Sequence, residues 1–175
     1  SSAASDVYKR QGLGLSTASV GVIYGTIGVA ALLIGGIISG FLVSRDGFKK
    51  WIIPMALAIN LPDLLYVWMA AATPDNLLLI SICVAIEQLG YGFGFTAYML
   101  YLIYIADGEH KTAHYAIGTG FMALGMMLPG MPAGWIQEHL GYTNFFIWVC
   151  VCTIPGILAS WMIRNRLDSS FGKKR

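Results

Sequence analysis

Long apolar runs broken only by short polar clusters dominate this 175-residue chain. The runs fall at about 18–43, 51–72, 77–105, 113–136 and 143–163. A helix that crosses a bilayer needs about 20 consecutive apolar residues, and each run meets or exceeds that length. The connections at 44–50, 73–76, 106–112 and 137–142 are short. Only Asp63 and Glu87 place a carboxylate inside a run, and every Lys and Arg lies outside. Charged residues make up 11% of the chain and hydrophobic residues 57%, with a mean hydropathy of +0.67. A soluble domain carries roughly 25% charged residues, so a soluble monomeric enzyme is excluded, as is intrinsic disorder. The fold class expected is all-α integral membrane, with five transmembrane helices.

Orientation follows from the basic residues. Arg45, Lys49 and Lys50 occupy the first connection, Lys111 the third, and Arg164, Arg166, Lys173, Lys174 and Arg175 the tail, while the second and fourth connections have none. Basic residues at every second connection imply that those connections and the C-terminus are cytoplasmic. The first run then starts outside. Lys9 and Arg10 break this pattern. They lie in 1–11 (SSAASDVYKRQ), which lacks Met and an apolar core, is no signal peptide, and reads as a non-native, adapter-derived leader. The transmembrane domain is taken as 12–168 and the basic tail as 169–175. An odd number of crossings from an outside start leads to the expectation of missing upstream helices.

The third run carries the most chemistry. Glu87, Tyr91, Gly94, Tyr98 and Tyr101 are spaced by four, three, four and three residues, which sets them on one helical face. Counting from Leu77 at roughly 1.5 Å per residue, Glu87 lies about 15 Å deep, near the bilayer centre. Ionisable groups there are expensive and face a bundle interior or water. Glu87 is therefore the candidate for proton coupling or solute contact, with Gln88 as its polar neighbour and Tyr91, Tyr98 and Tyr101 along the passage. Gly90, Gly92 and Gly94 are expected to bend or unwind the helix beside the carboxylate. A purely structural reading, with Glu87 fixing helix packing, stands beside this one.

Other features read as structural. Asp63 follows Asn60 and Pro62, where a kink is expected and Asn60 or Asp63 can satisfy freed backbone groups; it is a secondary candidate. Gly21 with Gly25, and Gly36 with Gly40, are small-xxx-small pairs suited to close helix packing. Gly118, Gly125, Pro129 and Pro132 share a face of the fourth run and predict a kinked, closely packed helix. Cys83, Cys150 and Cys152 lie in apolar runs and behave as small hydrophobes. His110 and His114 have i, i+4 spacing, but Lys111 follows the first His where a metalloprotease needs Glu, so neither a metal site nor an enzyme is expected. No cofactor is called for.

The first connection reads Gly40-Phe-Leu-Val-Ser44-Arg45-Asp46-Gly47-Phe48-Lys49-Lys50. Its spacing is similar to the cytoplasmic signature loop of the major facilitator superfamily, glycine-x-x-x-acid-basic-x-glycine-x-basic-basic. Gly40, Arg45, Gly47, Lys49 and Lys50 match; Ser44 departs from the acid, and Asp46 offers that charge two positions on. Gly21-Val-Ile-Tyr-Gly-Thr-Ile-Gly, Asn60-Leu-Pro-Asp-Leu, Glu87-Gln-Leu-Gly-Tyr-Gly-Phe-Gly-Phe-Thr-Ala-Tyr, Met127-Leu-Pro-Gly-Met-Pro-Ala-Gly-Trp and Gly141-Tyr-Thr-Asn-Phe-Phe, followed by Ile154-Pro-Gly, resemble the C-terminal half of the muropeptide permeases (AmpG-like).

This resemblance implies helices 8–12 of a twelve-helix transporter with two six-helix halves around a central cavity. The third run would be the cavity-lining tenth helix, and Asp63 would sit on an outer ninth helix. The activity implied is proton-coupled uptake of muropeptide-like or related amphiphilic solutes across the bacterial inner membrane by alternating access. Its partners would be the lipid bilayer, a small-molecule solute, protons and the N-terminal half of the same protein. A net charge of +2 implies no nucleic-acid surface. The alternatives are a same-fold transporter of another solute, such as an acyl-nucleotide, and a non-transporting scaffold subunit. This segment by itself is expected to be inactive, because a central site lies between two halves.

Overall fold

A computed structural model describes residues 16–72, 76–106 and 108–173; the leader expected over 1–11 lies outside them. The regular structure among the described residues is helical. It comprises α1 (Thr17–Val22), a π-helical turn (Ile23–Gly28), α2 (Val29–Asp46), α3 (Phe48–Asn60), α4 (Asp63–Ala72), α5 (Leu77–Ile105) and α6 (Lys111–Arg164).

Four stretches are long and apolar enough to cross a membrane: Ile23–Asp46, Phe48–Ala72, Leu77–Ile105 and Lys111–Arg164. Five were expected. The expected runs 113–136 and 143–163 both fall within α6, whose 54 residues are two helices joined across a kink at Gly141. The polar cluster 137–142 does not unwind into a loop. The backbone leaves helical geometry only at Gly141 (φ 72°, ψ 164°), a conformation open to a residue without Cβ. The backbone keeps helical dihedral angles through Pro129 and Pro132 and leaves them at Gly141.

Two buried clusters mark the ends of the bundle. At one end Val43, Phe48, Ile52, Met55, Ala97 and Leu167 pack together, with Tyr101, Tyr104, Ile163 and Phe171 against them. At the other end lie Tyr66, Met69, Cys83, Phe145 and Phe146, with Ala133 and Ile136 alongside. α6 leaves the first end, where the Tyr98 hydroxyl donates to the Gly118 carbonyl at 3.3 Å. It reaches the second end by Ala133 and Phe145, and it is back at the first by Ile163.

Glycine sets how closely the first three apolar stretches approach. A methyl group built on Gly92 would overlap the Leu32 carbonyl, one on Gly90 the Ala58 carbonyl, and one on Gly35 the Leu89 carbonyl. At Gly94 it would come within 2.6 Å of both Ile59 Cβ and the Met55 carbonyl. α5 therefore stays helical through Gly90, Gly92 and Gly94 rather than unwinding; the absent side chains admit α2 on one side and α3 on the other. The expected pairs in the first run are displaced. Gly21, Gly25 and Gly40 face open space, and the close approaches are made by Gly28 and Gly35.

Pro62 does interrupt the second stretch, separating α3 from α4. Asn60 Nδ2 donates to the Ala56 carbonyl at 2.6 Å, not to the Ala58 carbonyl four residues before the proline. Asp63 opens α4, where a carboxylate favours a helix N-terminus.

Candidate functional site

Glu87 is placed by the long regular helix α5, whose start is fixed by the Asn76 side chain accepting from the Leu78 N–H at 2.9 Å. Glu87 is half-buried, and its Oε2 is a meeting point for three helical segments. Tyr24, on the π-helical turn, donates its hydroxyl to Oε2 at 3.1 Å. Tyr66, on α4, donates to the same oxygen, and the two phenol oxygens are 3.3 Å apart. An ionised carboxylate only accepts, so one oxygen can take both phenol hydrogens. Such charge-assisted bonds are roughly twice as strong as neutral ones. Tyr66 is 3% exposed and its ring stacks on Phe146 of α6, with centroids 5.3 Å apart. The Glu87 carboxyl thus links the first three apolar stretches directly and reaches α6 through the Tyr66 ring.

The tyrosines of the predicted stripe do not meet at Glu87. Tyr91 stacks on Phe95 at 5.6 Å and lines a pocket of about 410 Å³ with Leu32, Leu33, Gly36, Ile37, Gly92 and Thr96. Tyr98 bonds α6 as described, and Tyr101 packs into the cluster around Phe48. Gln88 lies against the first stretch, with its Cγ 3.3 Å from where a methyl on Gly28 would stand. The residues that do bind Glu87, Tyr24 and Tyr66, were not singled out from the sequence. Each is a phenol in an apolar run, and a buried tyrosine hydroxyl usually requires a partner. That signal was present, but it did not say which partner.

Asp63 lies on α4 one helical turn before Tyr66, half-buried at the proline break. Near it Asn60, Cys150 and Thr153 line a smaller cleft of about 160 Å³ between the second stretch and α6. Among the described residues, no group of three or more His, Cys, Asp or Glu side chains is placed to hold a metal ion.

The predicted signature loop is a tight corner. Gly47 (φ 90°, ψ 153°) joins α2 to α3, and its N–H donates to the Val43 carbonyl at 2.8 Å. Asp46 gathers the charges of the loop. Its Oδ2 lies 3.1 Å from Arg45 Nη2 and 3.0 Å from Lys50 Nζ, and it accepts from Trp51 Nε1 at 3.1 Å. Asp46 is therefore the acid that gathers the basic side chains of this corner. The Ser44 hydroxyl instead donates to the Phe41 carbonyl at 2.8 Å. Gly40 faces open space, and Lys49 is close enough to Asp168 to act on its charge.

The tail, expected as a plain basic extension over 169–175, is packed through Lys173. The Phe48 N–H donates to the Phe171 carbonyl at 3.0 Å, and the Phe171 ring sits between Phe48 and Tyr104 at 6.2 and 4.9 Å. Leu167 is 3% exposed. The Tyr104 hydroxyl donates to the Arg166 carbonyl at 3.4 Å and accepts from the Asp168 N–H at 3.3 Å. The Ser170 N–H and hydroxyl both bond Asp168 Oδ1 at 2.8 Å and hold that carboxyl below the ordinary aspartate range. Leu167 and Phe171 carry this docking, and the aliphatic stem of Lys173 lies against Gly47.

Helices of this length and hydropathy, with an acid tied across three of them, define an integral membrane protein. No family model matches the chain, and no solved structure matches it. The anhydromuropeptide permease of Escherichia coli K12 is 23% identical over 158 residues, covering 90% of this chain and 32% of that protein. "Putative transporter AmpG 1" of Rickettsia felis is 25% identical over 151 residues, covering 86% and 33% respectively. Its namesake in Rickettsia bellii is 25% identical over 151 residues, covering 86% and 36%. The chain is thus similar to AmpG-like transporters over nearly all of its own length, and it spans about a third of the length of these curated relatives. The relatives are named as permeases and transporters, not as enzymes.

Proposed function

We propose that the chain is part of a secondary transporter that takes up muropeptide-like or related amphiphilic solutes together with protons. The observation that carries this reading is Glu87: a carboxylate midway along an apolar helix, bound by phenols from two other segments. A group that must exchange a proton needs this kind of polar setting inside a membrane. The likeness to named permeases supports the choice of solute.

In this reading α6 crosses twice. A helix of 54 residues at about 1.5 Å each would be about 81 Å long, far more than a hydrocarbon core of about 30 Å. Its contacts with both ends of the bundle agree with an outward and a return crossing meeting near Gly141. The chain then corresponds to helices 8–12 of a major facilitator transporter working by alternating access, with the remaining helices in the other part of the protein. The loop at 44–50 and the docked tail lie at one end of the bundle, and that end is cytoplasmic by the basic-residue rule.

The test is uptake of labelled anhydromuropeptide by inner-membrane vesicles carrying the complete transporter that contains this chain. Glu87→Gln keeps the shape and removes the ionisable group. Losing one coupled proton at a potential of about 100 mV forfeits about 2.3 kcal/mol, close to fiftyfold in accumulation. Unchanged accumulation with unchanged pH dependence would remove Glu87 from the coupling path.

A further inference from the structure

We infer that Tyr24 positions the Glu87 carboxyl, and that the π-helical turn Ile23–Gly28 releases Glu87 when that carboxyl takes up a proton. The inference rests on the reading that Glu87 exchanges a proton. It adds where the consequence is felt.

Glu87 Oε2 accepts from two phenols at once. When a proton from water adds to that oxygen, the carboxyl becomes a donor and the two phenol hydrogens can no longer both point at it. The charge assistance is lost with the charge. Both phenol bonds weaken with it, and a proton seated on Oε2 itself turns one phenol away.

The two are unequally held. Tyr66 is 3% exposed, stacked on Phe146 and set in the cluster with Met69 and Cys83. Tyr24 is half-buried on a turn whose neighbouring Gly25 has open space beside it. That turn departs from α-geometry: the Val29 N–H reaches back to the Tyr24 carbonyl, five residues away. The Thr26 hydroxyl covers the Val22 carbonyl at 2.5 Å. Single π-turns inside α-helices are rare and recur at functional sites. Here the bond from Tyr24 to Glu87 ties the turn to a second helix. Closing the turn to α-geometry would shift the preceding α1 by one residue, a rotation of roughly 100°. The structure therefore couples the protonation of one carboxyl to the register of the first apolar stretch.

Among the described residues, the titratable groups that face Glu87 include Tyr24 from the first stretch and Tyr66 and Asp63 from the second. α6 contributes the Phe146 ring on Tyr66 and Cys150 toward Asp63.

The test uses the full chain in lipid nanodiscs, with backbone hydrogen exchange over Ile23–Gly28 corrected for intrinsic rates, and with the carboxyl infrared band followed from pH 5 to 9. Protection of the turn is expected to fall at least about tenfold on acidification, in step with the carboxyl band. Glu87→Gln should give the low protection at every pH. Tyr24→Phe should do the same while leaving a carboxyl that still titrates. A carboxyl band that titrates while the turn keeps its protection overturns the coupling and leaves the proton reading standing. A band that never titrates overturns both. Protection lost equally across all helices in Tyr24→Phe would mark it as a general packing residue and also overturn the inference.

Discussion

α5 and the first part of α6 are both rich in glycine and, Gly118 apart, use it in opposite ways. In α5, Gly90, Gly92 and Gly94 each sit against another helix, with no room for a methyl group. In α6, Gly120, Gly125, Gly130 and Gly134 have nothing within 4 Å of where a methyl would stand. The neighbours differ accordingly: Phe121, Met127, Met131 and Trp135 are all exposed. Glycine allows two helices to meet closely but does not force them to. The α5 glycines build the platform that holds Glu87, whereas those of α6 leave a smooth apolar face.

Three substitutions probe this contrast by thermal unfolding in nanodiscs. The largest effect is expected from Gly92→Ala, which places a methyl on the Leu32 carbonyl and should cost about 3 kcal/mol by overpacking. If the midpoint stayed at the wild-type value, the close approach of α2 and α5 would be wrong. An intermediate loss of about 1–2 kcal/mol is expected from Gly141→Ala, because its positive φ is strained for any residue with Cβ although the space is open. A neutral result there would mean that α6 does not bend at this residue. The smallest effect is expected from Gly125→Ala, within about 0.5 kcal/mol of wild type and toward greater stability. A large loss would show that this face is covered in the membrane.

Much of this was legible in the residues. Apolar length and the placement of Lys and Arg marked out the helices, and depth singled out Glu87. The corner at Gly47 was readable from its glycine and flanking charges. The partners of Glu87 were not, because Tyr24 and Tyr66 stand 63 and 21 residues away in sequence. Helical periodicity reports which residues share a face, not which faces meet. The stripe from Tyr91 to Tyr101 is a true face, yet its members reach different neighbours because α5 runs past several helices. The corner of α6 was blurred for a different reason. Gln137, Glu138 and His139 look like a loop by polarity, but they stay helical, and the chain turns at Gly141 alone. The docked tail was hidden because its basic ending drew attention from Leu167 and Phe171.

That docked tail has a consequence for biogenesis. Val43 and Phe48 emerge from the ribosome well over a hundred residues before Leu167 and Phe171, which complete their burial. Until 167–171 have been made and docked, the corner at Gly47 stands open with a bare Phe48 ring and an unpaired amide. Translation order therefore makes the tail a keystone. Without Leu167 and Phe171 that corner would stay unsealed.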